Sequence, residues 1–190
     1  MLELRENLLG SLKELRGIQP LWHPLGFVSC FLKNESSHRI RLHYWPRNDR
    51  RPKSPDWPIH THTFRLESLI LYGQVVDRQY ELVSGDDYTL YQVEYMGENS
   101  KVSETTVRCG VKLRQELIRN EGETYIVDSG SFHETFVGAG DEALTIVECT
   151  EFLSDAPYVV GKRGSQVIGY RREEYDRTKF WNRVTEILKP

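Results

Sequence analysis

His60 and His62 are separated by a single residue in the stretch 59–73, IHTHTFRLESLILYG. Residues i and i+2 of an extended chain project from the same side, so the two imidazoles point together. Two converging imidazoles are two ready metal ligands, because neutral ring nitrogen suits zinc, iron, copper and nickel. A third histidine, His133, ends the stretch 122–133, GETYIVDSGSFH. Gly122 and Gly130 lie where the chain must turn for a neighbouring strand to deliver it.

Taken together, the two stretches resemble the paired motifs of the cupin superfamily. The first cupin motif is H-x-H, three or four residues, Glu, about six residues and Gly. The second is G-x5-P-x-G-x2-H-x3-N. The second is met here at Gly122, Gly130 and His133, with Asp128 in the proline slot and Val137 in the asparagine slot. Aspartate suits a turn corner, because its side chain can bond nearby backbone. The glutamate is ambiguous. Glu67 follows His62 at an allowed spacing, yet counting back from Gly73 lands on Leu66. One residue of slip reverses the face of a strand, unless a bulge intervenes. The chain is therefore also similar to the three-His, cysteine dioxygenase-type cupins, which use no carboxylate. His60, His62 and His133 form the expected ligand set, with Glu67 as an optional fourth ligand or a supporting residue.

Three neutral histidines leave a divalent ion its full charge and up to three open positions. A closed structural zinc site would use a fourth His or Cys, and the carboxylates are too few for magnesium or calcium. An open facial set suits Fe(II) oxygen chemistry. Resemblance to the three-His cupins completes the expectation of a mononuclear non-haem Fe(II) dioxygenase with a small-molecule substrate and dioxygen as partners. Tyr91, Tyr95 or an arginine of the loop before His60 would orient the substrate. The same ligands holding Mn, Zn or Ni would instead serve an isomerase, lyase or decarboxylase. Glu67, Glu134 or Glu148 would then be the base. A cupin that binds a small molecule without chemistry is a third reading, because function lies in the site and not in the fold.

The 190 residues suit one domain, spanning 1–190. A net charge of −3 gives no general attraction to nucleic acid or acidic membrane. Cys30, Cys109 and Cys149 are odd in number and scattered, which argues against a disulfide framework. No apolar run has membrane-spanning length, and no secretory leader is evident, so a cytoplasmic protein is expected.

Leu4, Leu8, Leu12 and Leu15 form a helical stripe over 2–16, and Phe180, Trp181, Val184, Ile187 and Leu188 form another within 172–188. Between them, over 26–152, short alternating segments are separated by turn clusters. The pattern predicts an all-β fold, and the resemblance makes it the cupin-type double-stranded β-helix, a jelly-roll barrel with one helix at each end. Turns are expected at 84–87 and 97–103. The loop 46–58 carries four prolines with Arg47, Arg50, Arg51 and Lys53, and reads as a solvated loop or a lid over the site. Cys109 alternates with Val107, Val111 and Leu113 and is expected in the core, while His43 shares a face with Arg41 and Trp45 as a packing or surface residue. The terminal helices are expected to pack on the outside of the main fold or, with apolar surface at Leu4, Leu8, Phe180 and Trp181, to join the N-terminal β-hairpin as candidates for a homodimer seam.

Overall fold

A computed structural model describes residues 2–97, 99–165 and 168–189. The elements in chain order are α1 (Leu2–Leu15), β1 (Leu21–Trp22), β2 (Val28–Asn34), β3 (Arg39–Trp45), β4 (Arg65–Met96), β5 (Asn99–Asn120), β6 (Thr124–Val127), β7 (Phe132–Phe136), β8 (Ala143–Thr150), β9 (Tyr158–Lys162), β10 (Ile168–Arg171) and α2 (Arg177–Leu188). All the strand pairings are antiparallel. One sheet runs β1-β2-β3-β8 and then the first part of β4, which also pairs with β6. The later part of β4 passes into a second sheet with β5, β7 and β9, and β10 adds to β5. This is the two-sheet jelly roll expected for a cupin-type fold. The strand path ends at β1 and β10, so the sheets are left open there and do not close into a barrel.

Gly73 makes the passage of β4 between sheets possible. Its φ is +76°, and a Cβ there would overlap the carbonyl of Glu142, a conformation and an approach that only glycine tolerates. Because β4 bends without breaking, the turn expected at 84–87 is an irregularity within the strand, where the register with β5 shifts between Val83 and Tyr88. Residues 99–103, expected as turn, begin β5. Two strands also lie beyond the expected end of the β region, since β9 and β10 follow residue 152, and the helix expected from 172 begins at Arg177.

The first sheet carries buried apolar residues on both faces. Phe27, Trp45, Phe64, Leu66, Ile70, Val75 and Val147 fill the interior between the sheets. The opposite face carries Val28, Cys30, Leu42, Tyr44, Leu69, Leu71, Leu144 and Ile146 beneath Leu8 of α1 and Phe180, Trp181, Val184 and Leu188 of α2. The apolar residues offered for a homodimer seam are therefore used inside one chain: Leu8, Phe180 and Trp181 are all buried. The side chain of Leu4 lies outside the described residues. Cys109 is buried as expected, but Val107 and Leu113 are about half exposed, so the face they share with it is only partly covered. Among the described residues no helix is long and apolar enough to cross a membrane.

Candidate metal centre

Backbone pairing assembles the three histidines. His60 forms isolated antiparallel bridges with both His133 and Val159, so its segment lies between β7 and β9 in the second sheet. On one side His60 N donates to His133 O at 3.0 Å and His133 N donates to His60 O at 2.9 Å. On the other, Val160 N donates to Ile59 O, Thr61 N donates to Tyr158 O, and Tyr158 N donates to the Thr61 hydroxyl. The carbonyl of His62 accepts from Gly130 N at 2.9 Å and from the Ser129 hydroxyl at 3.3 Å. The turn delivering Gly130, whose φ is +76°, closes with Ser131 N donating to the Asp128 carbonyl. Asp128 thus fills its corner through the main chain.

The ring centroids of His60 and His62 are 4.7 Å apart, those of His60 and His133 4.6 Å, and those of His62 and His133 5.0 Å. One nitrogen from each ring lies within 4.8 Å of the others, and among the described residues no carboxylate or cysteine joins the group. The Nε2 atoms of His62 and His133 are 3.0 Å apart. Two imidazole nitrogens that each sit ~2.1 Å from one ion at a right angle would be separated by about that distance. His60 Nδ1 lies 2.8 Å from the carbonyl of Pro58. A carbonyl only accepts, so that nitrogen carries the proton and Nε2 is left as a bare lone pair.

Burial pushes His62 and His133 well below the ordinary histidine range, with repulsion from neighbouring imidazoles adding to it. Burial also lowers His60, against a smaller opposing effect of its bond to Pro58. Neutral, converging imidazoles are the protonation state that binds a transition ion. The donor set fits one, and it fits neither magnesium nor calcium.

Glu67 and Glu148 are not brought to this group. Cα partners across β4 and β8, they share the face of Leu69 and Ile146, under the helices. Glu67 accepts from Arg65 and Glu148 bonds to His38. Along β4 the interior positions are Leu66 and Ile70, so Glu67 faces outward. Glu134 adjoins His133 but alternation turns it to the other side of β7, where it pairs with Lys53 and Arg78. Tyr91 is fully buried, its hydroxyl donating to Lys162 O and accepting from Ser165 N, its ring against Trp57. Tyr95 lines a cavity with His60, His23, Trp57, Tyr170 and Arg172. The basic loop is a strap pinned at several points: Arg50 donates to the carbonyls of Val137 and Asp141, Arg51 to Glu173 and Lys53 to Glu134.

Sequence reading left out the residues of β3 that face the interior. His43 and Arg41 share their face with Trp45 of the interior cluster, and the charges of His133, His60 and Arg41 bear on His43. Their common parity was readable; the direction in which it points depends on how the sheets pack.

No protein-family model matches the chain, and no curated protein matches it. Solved structures do resemble it. The chain is similar to a structure described as "DMSP lyases RdDddP and RnDddQII", with a TM-score of 0.40 and 17% identity over 74% of this chain and 53% of that one. It is also similar to the DMSP lyase DddQ from Ruegeria pomeroyi DSS-3, with a TM-score of 0.43 and 15% identity over 74% of this chain and 54% of that one. The chain spans about half the length of each.

Proposed function

We propose that the protein is a mononuclear metal-dependent enzyme whose ion is held by His60, His62 and His133, and that it is an Fe(II) dioxygenase acting on a small molecule. The observation that carries this reading is the convergence of three neutral imidazoles, His133 buried and His60 and His62 half-buried, with no carboxylate joining them among the described residues. When bound, such an ion supplies adjacent open positions and redox chemistry for a substrate donor atom and dioxygen. The chain's own residues hold the geometry and keep water out. His60 is oriented by the Pro58 carbonyl, and Trp57, Val93 and Val159 give the adjoining cavity apolar walls. Tyr95 and Tyr170 line that cavity and are the candidates for orienting a polar substrate group.

A lyase or isomerase reading has one observation in its favour. His23 lines the same cavity and is held well below the ordinary histidine range, mainly by burial. It is a neutral imidazole at pH 7 and so a candidate base where the carboxylates face away.

Oxygen uptake separates the two. Protein reconstituted anaerobically with Fe(II) is offered a panel of small thiols, acids and enolisable ketones in an oxygen electrode. Substrate-dependent oxygen consumption that disappears in His133→Ala is the expected result. Turnover at an equal rate without oxygen would replace this reading with the lyase one.

A further inference from the structure

His23 opens the turn between β1 and β2, and the turn fixes how its ring can be used. The main chain closes the turn twice: His23 N donates to Phe27 O at 2.7 Å, and Gly26 N donates to His23 O at 2.9 Å. Gly26 has a φ of +82°, and a Cβ there would overlap the carbonyl of Arg51, so the turn sits directly against the basic strap. Ser54 N donates to the Pro24 carbonyl at 2.8 Å and ties the two together. The imidazole is held as well. It stacks on Phe27 with ring centroids 4.3 Å apart and planes 14° from parallel, and Leu25 N donates to its Nδ1 at 3.3 Å.

A backbone N–H only donates, so Nδ1 offers its lone pair and the proton of the neutral ring sits on Nε2. Burial, with the charge of Arg172 next, holds the ring neutral. One ring face is taken by Phe27 and the Nδ1 edge by Leu25, and among the described residues Nε2 makes no hydrogen bond. The Nε2–H group is therefore the polar function that His23 can bring to the cavity it lines with His60. A base role would first require the ring to release Leu25 N. Trp57, Val93, Val102, Val159 and Ile168 give the cavity apolar walls, and neither Asp nor Glu lines it. Arg172 also lines it but already interacts within the chain. An uncharged donor among apolar walls matches a neutral acceptor, because an ion would forfeit its hydration for one uncharged hydrogen bond.

We propose that His23, as the Nε2–H tautomer, donates a hydrogen bond to a neutral carbonyl oxygen of the substrate, so that the cavity beside His60 takes small ketones and other uncharged carbonyl compounds with an apolar body. The strap, by fixing the turn, fixes the direction of that donor. The inference rests on the reading of this cavity as the substrate site and names its substrate class, but the hydrogen bond itself needs no ion.

Two measurements test it. In long-range proton–nitrogen NMR spectra of metal-free protein at pH 7, His23 is expected as the neutral Nε2–H tautomer. An imidazolium or an Nδ1–H tautomer overturns the proposal, and the latter returns His23 to the role of base. The second measurement is calorimetric titration of acetophenone and cyclohexanone against their olefin isosteres, α-methylstyrene and methylenecyclohexane, and against benzoate, on metal-free and metal-loaded protein. The ketones bind, and the carbonyl stretching frequency of acetophenone falls on binding to metal-free protein, where no ion polarises it. His23→Asn keeps an oxygen for Leu25 N and withdraws the donor. It weakens ketone binding by roughly three- to tenfold, the scale of one neutral hydrogen bond, removes the infrared shift and leaves olefin binding unchanged. His23→Gln places an amide N–H near the position of Nε2 and keeps most of both. A purely structural role for His23 predicts the reverse order, since asparagine suits the turn better than glutamine. No ketone bound at millimolar concentration, equal losses for ketones and olefins in His23→Asn, or benzoate bound more tightly than either ketone each overturns the proposal. If His23→Asn does not fold, the tautomer and the acetophenone band on the unaltered protein decide. His23-dependent ketone binding in a protein that takes up no metal would sink the metal reading and leave this one standing. Stoichiometric metal with no ketone bound would do the reverse.

Discussion

His60 and His133 exchange two backbone hydrogen bonds, at 3.0 and 2.9 Å, across 73 residues of sequence. In such an antiparallel pair the two Cα atoms stand ~5.5 Å apart with side chains on one face. The distance between the two imidazoles is therefore fixed by main chain, and an ion is not required to draw them together.

Removing metal should accordingly leave the fold intact. Chelator-treated protein is expected to keep its far-ultraviolet circular dichroism spectrum. Its melting temperature should rise on adding back Fe(II) or Co(II), since a ligand at about 100 times its dissociation constant adds ~2.7 kcal/mol. Loss of secondary structure on chelation would mean that the ion organises the strands.

Glu67→Ala should bind metal as the unaltered protein does. Its carboxylate lies on the helix-covered face of β4 beside Arg65, opposite the interior residues Leu66 and Ile70. Metal content measured by atomic emission should be unchanged, and a marked fall would return the carboxylate to the ligand set.

That glutamate shows where the sequence ceased to be decisive. The H-x-H spacing and the glycine-bounded second motif identified three residues that do converge, because local periodicity and turns govern those placements. Whether Glu67 faced in or out depended on a bulge before β4, which a residue count cannot detect, and the structure has regular pairing from Arg65 to Ile70. Arg41 and His43 were visible only as a shared parity with Trp45. β9 and β10, five and four residues long, lie past residue 152, beyond the region read as strand. The terminal stripes gave the helices correctly and left their partner open, since an apolar face does not say whether it meets its own sheet or a second chain.

Phe180 offers a test of that packing. It is fully buried against Tyr44, Tyr175 and Trp181. Phe180→Ala should lower stability to urea by about 3–5 kcal/mol, and the change should not depend on protein concentration. A concentration-dependent loss would point to an interface between chains.

Acid should destabilise the protein partly through His23. Burial, with Arg172 and His43 adding repulsion, holds its folded-state pKa well below the ordinary value. The unfolded chain then binds the extra proton, so stability falls as pH drops below ~6.5, by up to about 1.4 kcal/mol per pH unit for this one group. Above that pH the contribution is flat. His23→Gln should reduce the slope of stability against pH between neutrality and pH ~5 by as much as one proton's worth. An identical slope in the variant would show that His23 is protonated as readily folded as unfolded.

The account rests on one ion held by three imidazoles, and metal stoichiometry tests it most directly. Protein purified from metal-defined medium and reconstituted with Fe(II) should carry one ion per chain. His60→Ala, His62→Ala and His133→Ala, each shown folded by circular dichroism, should each lose most of it, and the triple variant should bind none. Stoichiometric metal retained by the folded triple variant would contradict the central claim.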